Sequence, residues 1–281
     1  MKRVPPHAYF LVSAVFHYLG PAFAVLLFTR VDVLGVAWLR IASAAVIFAV
    51  WRRPWRVWRF LDRSTRWLLI AWGAVLALMN SCFYLAIDRL PRGTVAAVEF
   101  LPVIALAALG TRTGRNAAAL LLAVAGVYLL SDVRLVAEPL GFVFAAANAV
   151  LFALYIVLGH RVAQVRGIDG LALAMLIASV VAAPIGFGDA LPAFGSLWTV
   201  LAAVGVGVSS SVIPYVCDQL AMARLSRGTY ALMVALLPAT ATVIGVLVLA
   251  QVPTAFEIVG VALVVAGVAV HRDQREYADA R

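Results

Sequence analysis

The sequence predicts an all-α, polytopic membrane protein whose ten transmembrane helices form two inverted repeats of five helices each. Three observations lead to this prediction: the composition, a duplicated stretch of sequence, and the distribution of basic residues between apolar segments. The 281 residues are 65% hydrophobic and only 12% charged, with a mean hydropathy of +1.03. Soluble globular domains do not reach these values, so most of the chain is expected to lie in a bilayer.

The duplicated stretch runs from Cys82 to Ala96 and returns 135 residues later, from Cys217 to Ala231. Nine of its fifteen positions are identical at this constant offset. Both copies leave one apolar segment, cross a short basic turn and enter another apolar segment. A match of this length predicts a duplicated unit, with the first repeat in residues 1–135 and the second in residues 136–281.

Ten apolar runs are long enough, or nearly long enough, to cross a hydrocarbon layer about 30 Å thick. The predicted spans are Ala8–Phe28, Val33–Trp51, Trp67–Ile87, Thr94–Leu109, Ala117–Leu130, Leu140–His160, Gly170–Phe187, Leu197–Cys217, Thr229–Ala250 and Ile258–Val270. The fifth and tenth spans are short, but both contain A-G-V in matching surroundings and are predicted to be equivalent packing helices. Six arginines between the second and third spans, together with Trp51, Trp55 and Trp58, predict a segment along the lipid headgroups.

The loops on one side of the predicted membrane, together with both termini, contain 17 Lys and Arg residues, whereas the other five loops contain 4. By the positive-inside rule, both termini are predicted to be cytoplasmic. Five spans separate the loop at Arg92 from the loop at Arg227, so the same turn faces outward in one half and the cytoplasm in the other. The halves are therefore predicted to be inverted, an arrangement typical of transporters whose substrate site opens alternately to each side.

The W-L-R-I sequence at Trp38 to Ile41, the A-G-V endings and the five-plus-five organisation resemble the EamA-type domains of the drug/metabolite transporter superfamily. Leu90-Pro-Arg-Gly followed by Glu99-Phe100 is similar to the branch of bacterial amino-acid exporters that includes threonine/homoserine and aromatic amino-acid exporters. This resemblance implies an exporter in the bacterial inner membrane. The chain departs from internal symmetry at Val234, which stands where the first half has Glu99, so the repeat relates no pair of carboxylates.

Polar side chains inside the predicted spans form the candidate substrate site, because such groups are costly in hydrocarbon unless they face a cavity or one another. Counting about 1.5 Å per residue along each helix indicates which polar residues lie near the midplane and which lie nearer either face. The predicted substrate-binding residues are His17, Asn80, Tyr84, Glu99, Asn148, Ser209, Ser210, Ser211 and Tyr215. For the serines and asparagines, hydrogen bonds between packed helices or to their own backbone are an equal alternative.

Arg40 and Glu99 are identified as the one base and the one acid well inside the spans, at similar depths. They are predicted to meet as a buried pair that fixes the second span against the fourth, with a direct substrate or proton role as the alternative. Because Glu99 is the only central acid on this count, proton coupling is expected to be weak or absent.

Three prolines, Pro102, Pro214 and Pro238, lie inside predicted spans. Each frees a backbone carbonyl and permits a kink. Such kinks could act as gates, or the freed carbonyls could accept hydrogen bonds from an ammonium group. Simple adjustment of helix shape is equally compatible with the sequence.

Several other functions lack the residues that they need. No phosphate-binding loop, H-E-x-x-H motif or cluster of His and Cys occurs, so no cofactor, metal or ATP hydrolysis is predicted. The net charge of +9 is a topology signal rather than an indication of nucleic-acid binding, the two cysteines are predicted to be unpaired, and no obligate protein partner is expected.

The predicted function is therefore secondary export or facilitated transport of amino acids, with the bilayer and a small molecule as the partners. Export of other small metabolites or drugs is the first alternative. A membrane enzyme acting on lipid-linked substrates is the second, but it would need paired acids or a nucleophile with a base near a headgroup. The loop acids are scattered: Asp62, Asp88, Asp132, Glu138, Asp169 and Asp189.

Overall fold

The computed structural model describes residues 5–24, 27, 30–131, 137–249 and 252–272, and all regular secondary structure in these ranges is helical. The helices are α1 (Pro6–Ala24), α2 (Val33–Arg52), α3 (Trp55–Trp58), α4 (Arg63–Ile87), α5 (Arg92–Leu109), α6 (Gly114–Leu130), α7 (Pro139–Val165), α8 (Gly167–Ala190), α9 (Leu197–Gly207), α10 (Ile213–Met222), α11 (Arg227–Val234), α12 (Leu236–Leu249) and α13 (Ala255–Val270). A 3-10 turn, Leu191–Gly195, extends α8, and a π-helical turn, Val208–Val212, joins α9 to α10.

Six stretches in the described ranges are long and apolar enough to cross a membrane: Val33–Arg52, Arg63–Ile87, Pro139–Val165, Gly167–Gly195, Leu197–Met222 and Arg227–Ile244. Shorter apolar helices lie at Gly93–Leu109, Gly114–Leu130 and Ala255–Val270. A polytopic helical membrane protein is thereby confirmed, while the count of ten spans and their inverted arrangement stay predictions. The predicted span ends at Phe28 and Ala250, and the boundary between the two repeats, lie outside the described residues.

The predicted spans differ from the observed helices at several places, and the differences in the eighth and ninth spans bear on the candidate site. The eighth continues through α10 to Met222, five residues beyond the predicted end at Cys217, so that residues 218–222 belong to the helix. The ninth, predicted as one helix, is divided into α11 and α12 at Ala235, three residues before Pro238. Proline cannot donate the backbone hydrogen bond that would continue α11 through the carbonyl of Val234, which explains a break at this place.

The helix starts follow from local side-chain chemistry. Asp62, Thr113 and Ser226 each accept a hydrogen bond from a backbone N–H in the first turn of α4, α6 and α11. Thr254 does the same for α13, and the Glu257 side chain accepts a hydrogen bond from the Thr254 backbone, which completes a capping box. These caps satisfy donors that the helix itself leaves unpaired.

Small residues let the helices pack closely. A Cβ atom on Gly126 of α6 would lie 2.6 Å from the carbonyl oxygen of Gly260 on α13, and one on Gly267 would lie 2.7 Å from the carbonyl oxygen of Ala119. The other extensive contacts join α2 to α8, α4 to α7 and α4 to α8, with α1 packed against α10. Close backbone approach of this kind is how transmembrane helices gain packing contacts where lipid is as apolar as the side chains. The core that results encloses a group of polar side chains.

Candidate functional site

A buried polar cluster lies where α2, α4 and α10 meet. The Arg40 guanidinium on α2 donates to the side-chain oxygen of Asn80 on α4 and to the Tyr215 hydroxyl on α10, the latter over 3.4 Å. Asn80 in turn donates to the Leu76 carbonyl over 2.8 Å and to the Tyr215 hydroxyl over 3.4 Å. The guanidinium carbon lies 5.5 Å from the centroid of the Tyr84 ring. Four residues that the sequence analysis predicted for the site or its buried pair therefore form one contiguous group: Arg40, Asn80, Tyr84 and Tyr215.

The positive charge of Arg40 is held by neutral groups. Arg40 is only 7% exposed, and its Nε has no hydrogen-bond partner among the described residues. No carboxylate in the described part of the chain lies within 4.0 Å of its guanidinium. A buried cation surrounded by an amide and two phenols is stabilised only in part, because these dipoles do not neutralise the charge.

A second charged side chain, Asp218, lies one turn after Tyr215 on the same face of α10. Asp218 is 2% exposed, and the Ser13 hydroxyl on α1 donates to its Oδ1 over 2.6 Å. The phenol groups of Tyr155 on α7 and Tyr230 on α11 lie beside the carboxylate. Asp218 thus has hydroxyl groups around it, and no Arg or Lys of the described ranges lies within 4.0 Å.

His17 connects the two charged side chains. Its Nδ1 lies 3.2 Å from the Ser13 hydroxyl, which also contacts Asp218. Its ring packs edge-on against the Tyr215 ring, with 6.1 Å between centroids, and the Tyr155 ring lies 5.7 Å from the Tyr215 ring between centroids. His17 was predicted to line the site, and it belongs to the same cluster as Arg40.

The sequence prediction missed Asp218. The predicted span ends at Cys217, which leaves Asp218 outside it, and the identification of Glu99 as the only central acid is therefore wrong. The expectation of weak proton coupling loses its basis for the same reason. One signal was available: residues 218, 219 and 222 follow Tyr215 at spacings of three, four and seven, which places Asp218 and Gln219 on its helix face if the helix continues.

The predicted ion pair between Arg40 and Glu99 is also wrong, because the two side chains have different partners. Glu99 on α5 accepts a hydrogen bond from the Asn148 side chain on α7 over 3.0 Å, while Arg40 faces α4 and α10. The two residues were matched by depth, but depth does not determine which neighbour a helix face contacts. Asn148 is fully buried, and its side-chain oxygen has no partner among the described residues.

The three predicted serines have different surroundings. Ser209 and Ser210 donate to backbone carbonyls of their own helix, at Gly205 and Val206, which is the alternative anticipated for them. The Ser211 hydroxyl is fully buried and has no hydrogen-bond partner in the described part of the chain. All three lie in the π-helical turn Val208–Val212, an irregularity that is often found at functional sites.

The three predicted gating prolines also differ. Pro102 lies inside α5, which continues as one helix to Leu109. Pro214 lies two residues after the π-helical turn, and Pro238 lies three residues after the break between α11 and α12 at Ala235. Only the two prolines of the second half coincide with an interruption of regular α-helix.

An open cleft of about 570 Å³ lies between the start of α4, the end of α7 and the start of α11. Its lining residues are Ser64, Thr65, Leu68, His160, Arg161, Gln164, Val165, Ser226 and Arg227. Gln219, the residue after Asp218, donates to the carbonyl of Gly159 over 3.4 Å, and Gly159 precedes His160 of the cleft lining. The cleft therefore adjoins the buried cluster through the contact between α7 and α10.

The described residues contain no group of three His, Cys, Asp or Glu side chains that could hold a metal ion. Cys82 and Cys217 are both free thiols, as predicted, but they are partly exposed rather than buried. The cluster offers one cation, one anion and several hydroxyl and amide groups. Such a set is suited to binding a small polar molecule without reacting with it.

Known proteins resemble this chain in sequence and in fold. Residues 139–271 match the EamA-like transporter family. The chain is 31% identical over 254 residues to the threonine/homoserine exporter RhtA of Escherichia coli K12, a match that covers 88% of this chain and 84% of the relative. The exporter RhtA of Salmonella typhimurium SL1344 is 31% identical over 255 residues, with the same coverage.

One solved crystal structure has the same fold, with a TM-score of 0.74, over 94% of this chain and 96% of that chain. It shares 20% of its sequence with this chain and supports the fold alone. The family and the relatives are transporters, which indicates a small-molecule substrate and a membrane location rather than an enzyme. The chain belongs to the EamA-like transporter family of the drug/metabolite transporter superfamily.

Proposed function

We propose that this chain exports amino acids across the bacterial inner membrane by alternating access, with both termini in the cytoplasm. In this proposal, ten spans form two inverted repeats, residues 1–135 and 136–281, and the substrate lies in the buried polar cluster between them. The observation that carries the proposal is this cluster, because it places a buried cation and a buried anion at the contact of the two halves in a relative of threonine/homoserine exporters.

Asn80 and Tyr215 support the inverted arrangement. They are 135 residues apart, which is the offset of the repeat, and their side chains lie 3.4 Å from each other. Residues related by a twofold axis touch only near that axis, because their separation grows with distance from it. The contact therefore supports an axis through the polar cluster, where a substrate would be equally distant from both membrane faces.

The helix contacts support the same arrangement. In the proposed repeats, α2 corresponds to α8 and α6 to α13, and both pairs pack against each other. The contact of α4 with α7 likewise has a counterpart in the contact of α1 with α10. These contacts between the halves thus have equivalents, as expected for two copies related by a pseudo-twofold axis.

The cleft beside His160 is proposed as the cytoplasmic entrance. It lies at the helix ends that the loop charges assign to the cytoplasm, and Gln219 connects its wall to the cluster.

The π-helical turn before Pro214 and the break before Pro238 are proposed as the places where the second half bends during the change of access. The apolar surroundings of the cluster are expected to accept amino acids with different side chains.

Transport is tested with the purified full chain in liposomes loaded with single labelled amino acids: threonine, homoserine, methionine or phenylalanine. We expect efflux well above that of empty liposomes, and we expect Asn80→Ala to reduce it because Arg40 loses its amide partner. Ser209→Ala is the matched control, since the Ser209 hydroxyl bonds only to its own helix. If no amino acid leaves faster than from empty liposomes while another metabolite or a cationic drug does, the substrate assignment is wrong.

The inverted topology has a separate test. Single cysteines replace Arg92 or Arg227 in a chain that lacks Cys82 and Cys217, and intact cells are treated with an impermeant thiol reagent. We expect labelling at position 92 and protection at position 227. Equal labelling of the two positions would exclude the inverted arrangement without affecting the assignment of the substrate.

A further inference from the structure

We propose that Arg40 and Asp218 are the two charged poles of the substrate site, with Arg40 binding the α-carboxylate and Asp218 the α-ammonium group of a free amino acid. This inference rests on the proposed function and specifies how the substrate is recognised. The inference rests on three observations: no acid of the described ranges forms an ion pair with Arg40, no basic side chain of these ranges forms one with Asp218, and Tyr215, which accepts a hydrogen bond from Arg40, lies one turn before Asp218 on α10.

Arg40 has the properties of an anion-binding side chain. It is buried, two of its contacts are hydrogen bonds to neutral oxygens, and its Nε has no hydrogen-bond partner among the described residues. The planar guanidinium matches a carboxylate with two parallel hydrogen bonds. A bound carboxylate would use the free Nε–H and neutralise the charge, which the amide of Asn80 and the phenol of Tyr215 cannot do.

Asp218 has the complementary properties. One oxygen accepts the Ser13 hydrogen bond, and phenol groups lie beside the carboxylate. The nearest basic side chain in the described part of the cluster is His17, which is bonded to Ser13 rather than to the acid. An ammonium group donates three hydrogen bonds, so a carboxylate oxygen together with surrounding hydroxyl oxygens forms a fitting acceptor set.

Tyr215 brings the two poles together. Its hydroxyl accepts a hydrogen bond from Arg40, and Asp218 follows it by three residues on the same buried face of α10. Nevertheless the two charges do not form a salt bridge with each other, since their charged atoms are more than 4.0 Å apart.

Two opposite buried charges that form an ion pair neither with each other nor with another group are each incompletely stabilised. The ammonium and carboxylate groups of an amino acid are attached to one carbon atom and carry the reverse pair of charges. A zwitterion placed between the poles completes both ion pairs, and the occupied site is electrically neutral. This geometry favours free amino acids over molecules that carry only one of the two charges.

Glu99 does not provide the same recognition. It is paired with Asn148 on the contact between α5 and α7, and no basic side chain of the described ranges lies within 4.0 Å of it. Glu99→Gln therefore serves as a matched control for Asp218→Asn, because both substitutions remove one partly or fully buried carboxylate from the same chain.

The test measures uptake of labelled threonine into liposomes that contain the full-length protein and an excess of unlabelled threonine. Unlabelled threoninol, which lacks the carboxylate, and N-acetylthreonine, which lacks the ammonium group, are added outside as competitors. We expect each analogue to compete at least about tenfold less well than threonine, since each leaves one buried charge unpaired. Equal competition by threonine and both analogues would overturn the two poles.

Single substitutions test which charged side chain binds which group of the amino acid. Arg40→Gln and Asp218→Asn are expected to reduce threonine uptake about thirtyfold, and Glu99→Gln to leave it within about threefold. In addition, Arg40→Gln should make threoninol as good a competitor as threonine, and Asp218→Asn should do the same for N-acetylthreonine. Uptake at the wild-type rate in either variant would contradict the inference.

Where Arg40→Gln or Asp218→Asn fails to fold, the wild-type protein still decides the question. Its thermal unfolding in detergent is measured with threonine, threoninol or N-acetylthreonine, and only threonine is expected to raise the unfolding temperature. Stabilisation by an analogue to the same extent overturns the inference. A wild-type protein that transports no amino acid contradicts the proposed function instead, so the two failures are distinguishable.

Discussion

Among the described residues, each half of the chain contributes one carboxylic acid to the contacts between core helices, Glu99 or Asp218, and the two acids have different surroundings. Asp218 accepts a hydrogen bond from Ser13 on α1 and lies beside a group of aromatic hydroxyls. Glu99 accepts its hydrogen bond from Asn148 on α7. Ser13 and Asn148 are 135 residues apart, the offset of the repeat, so the first long helix of each proposed half supplies the donor from an equivalent position.

The acids themselves are not equivalent. At the offset of the repeat, Asp218 corresponds to Phe83 and Glu99 to Val234. The duplicated helices thus provide similar positions for a donor, while the acidic groups come from different helices of the two halves. A scaffold with internal symmetry can therefore hold an asymmetric polar site. Helix packing depends on backbone geometry, whereas binding depends on a few side chains.

The largest expected difference is between the two acids in transport. Asp218→Asn should reduce threonine exchange in liposomes about thirtyfold, because the amide no longer neutralises a bound ammonium group. Glu99→Gln should change it by less than about threefold, because an amide still accepts the hydrogen bond from Asn148. Reduction of exchange by the same factor in both variants would remove the functional distinction between the acids.

Substitution of the two hydrogen-bond donors, Ser13 and Asn148, is expected to affect different properties of the protein: transport in one case and stability in the other. Ser13→Ala is expected to reduce threonine exchange about fivefold, because Asp218 loses its closest donor and changes orientation. Asn148→Ala is expected to lower the free energy of unfolding by about 1–3 kcal/mol, because the buried Glu99 carboxylate is left without a partner. Exchange rates and thermal unfolding in detergent measure both effects. Greater impairment of exchange by Asn148→Ala than by Ser13→Ala would contradict the assignment of Asp218, rather than Glu99, to transport.

The prolines are expected to show a smaller difference between the halves. Pro102 lies within a continuous α5, so Pro102→Ala should leave exchange within about twofold and stabilise the helix slightly. Pro214 follows the π-helical turn, and Pro214→Ala should slow exchange about threefold to fivefold by allowing a regular helix there. Equal rates for the two variants would argue against bending at the π-helical turn.

The smallest effects are expected at the caps of the equivalent helices α6 and α13. Thr113→Ala removes one side-chain cap and should lower stability by about 0.5–1 kcal/mol. Thr254→Ala also disrupts the capping box with Glu257 and should cost about 1–2 kcal/mol. Thermal unfolding compares the two variants, with threonine exchange expected to remain unchanged in both. A larger loss for Thr113→Ala would contradict the ranking.

The sequence by itself determined the helical membrane architecture. Inside a bilayer the backbone must satisfy its own hydrogen bonds, so a long apolar run is enough to predict a helix without knowledge of its neighbours. Ends that were predicted at Ile87, Leu109, Leu130 and Val270 agree with the ends of α4, α5, α6 and α13. The W-L-R-I segment at Trp38 to Ile41 and the A-G-V endings also indicated the family.

Only the tertiary structure decided which polar side chains meet. Position along a chain gives the depth of a residue in the membrane, but each successive helical residue turns by a large angle about the axis, and the packing of neighbouring helices decides what each face contacts. Depth alone paired Arg40 with Glu99, whereas packing placed Arg40 against Asn80 and Tyr215. Asp218 entered the site because α10 continues beyond an apolar run, where surrounding hydroxyl groups compensate a charge that hydropathy counts as the end of a span.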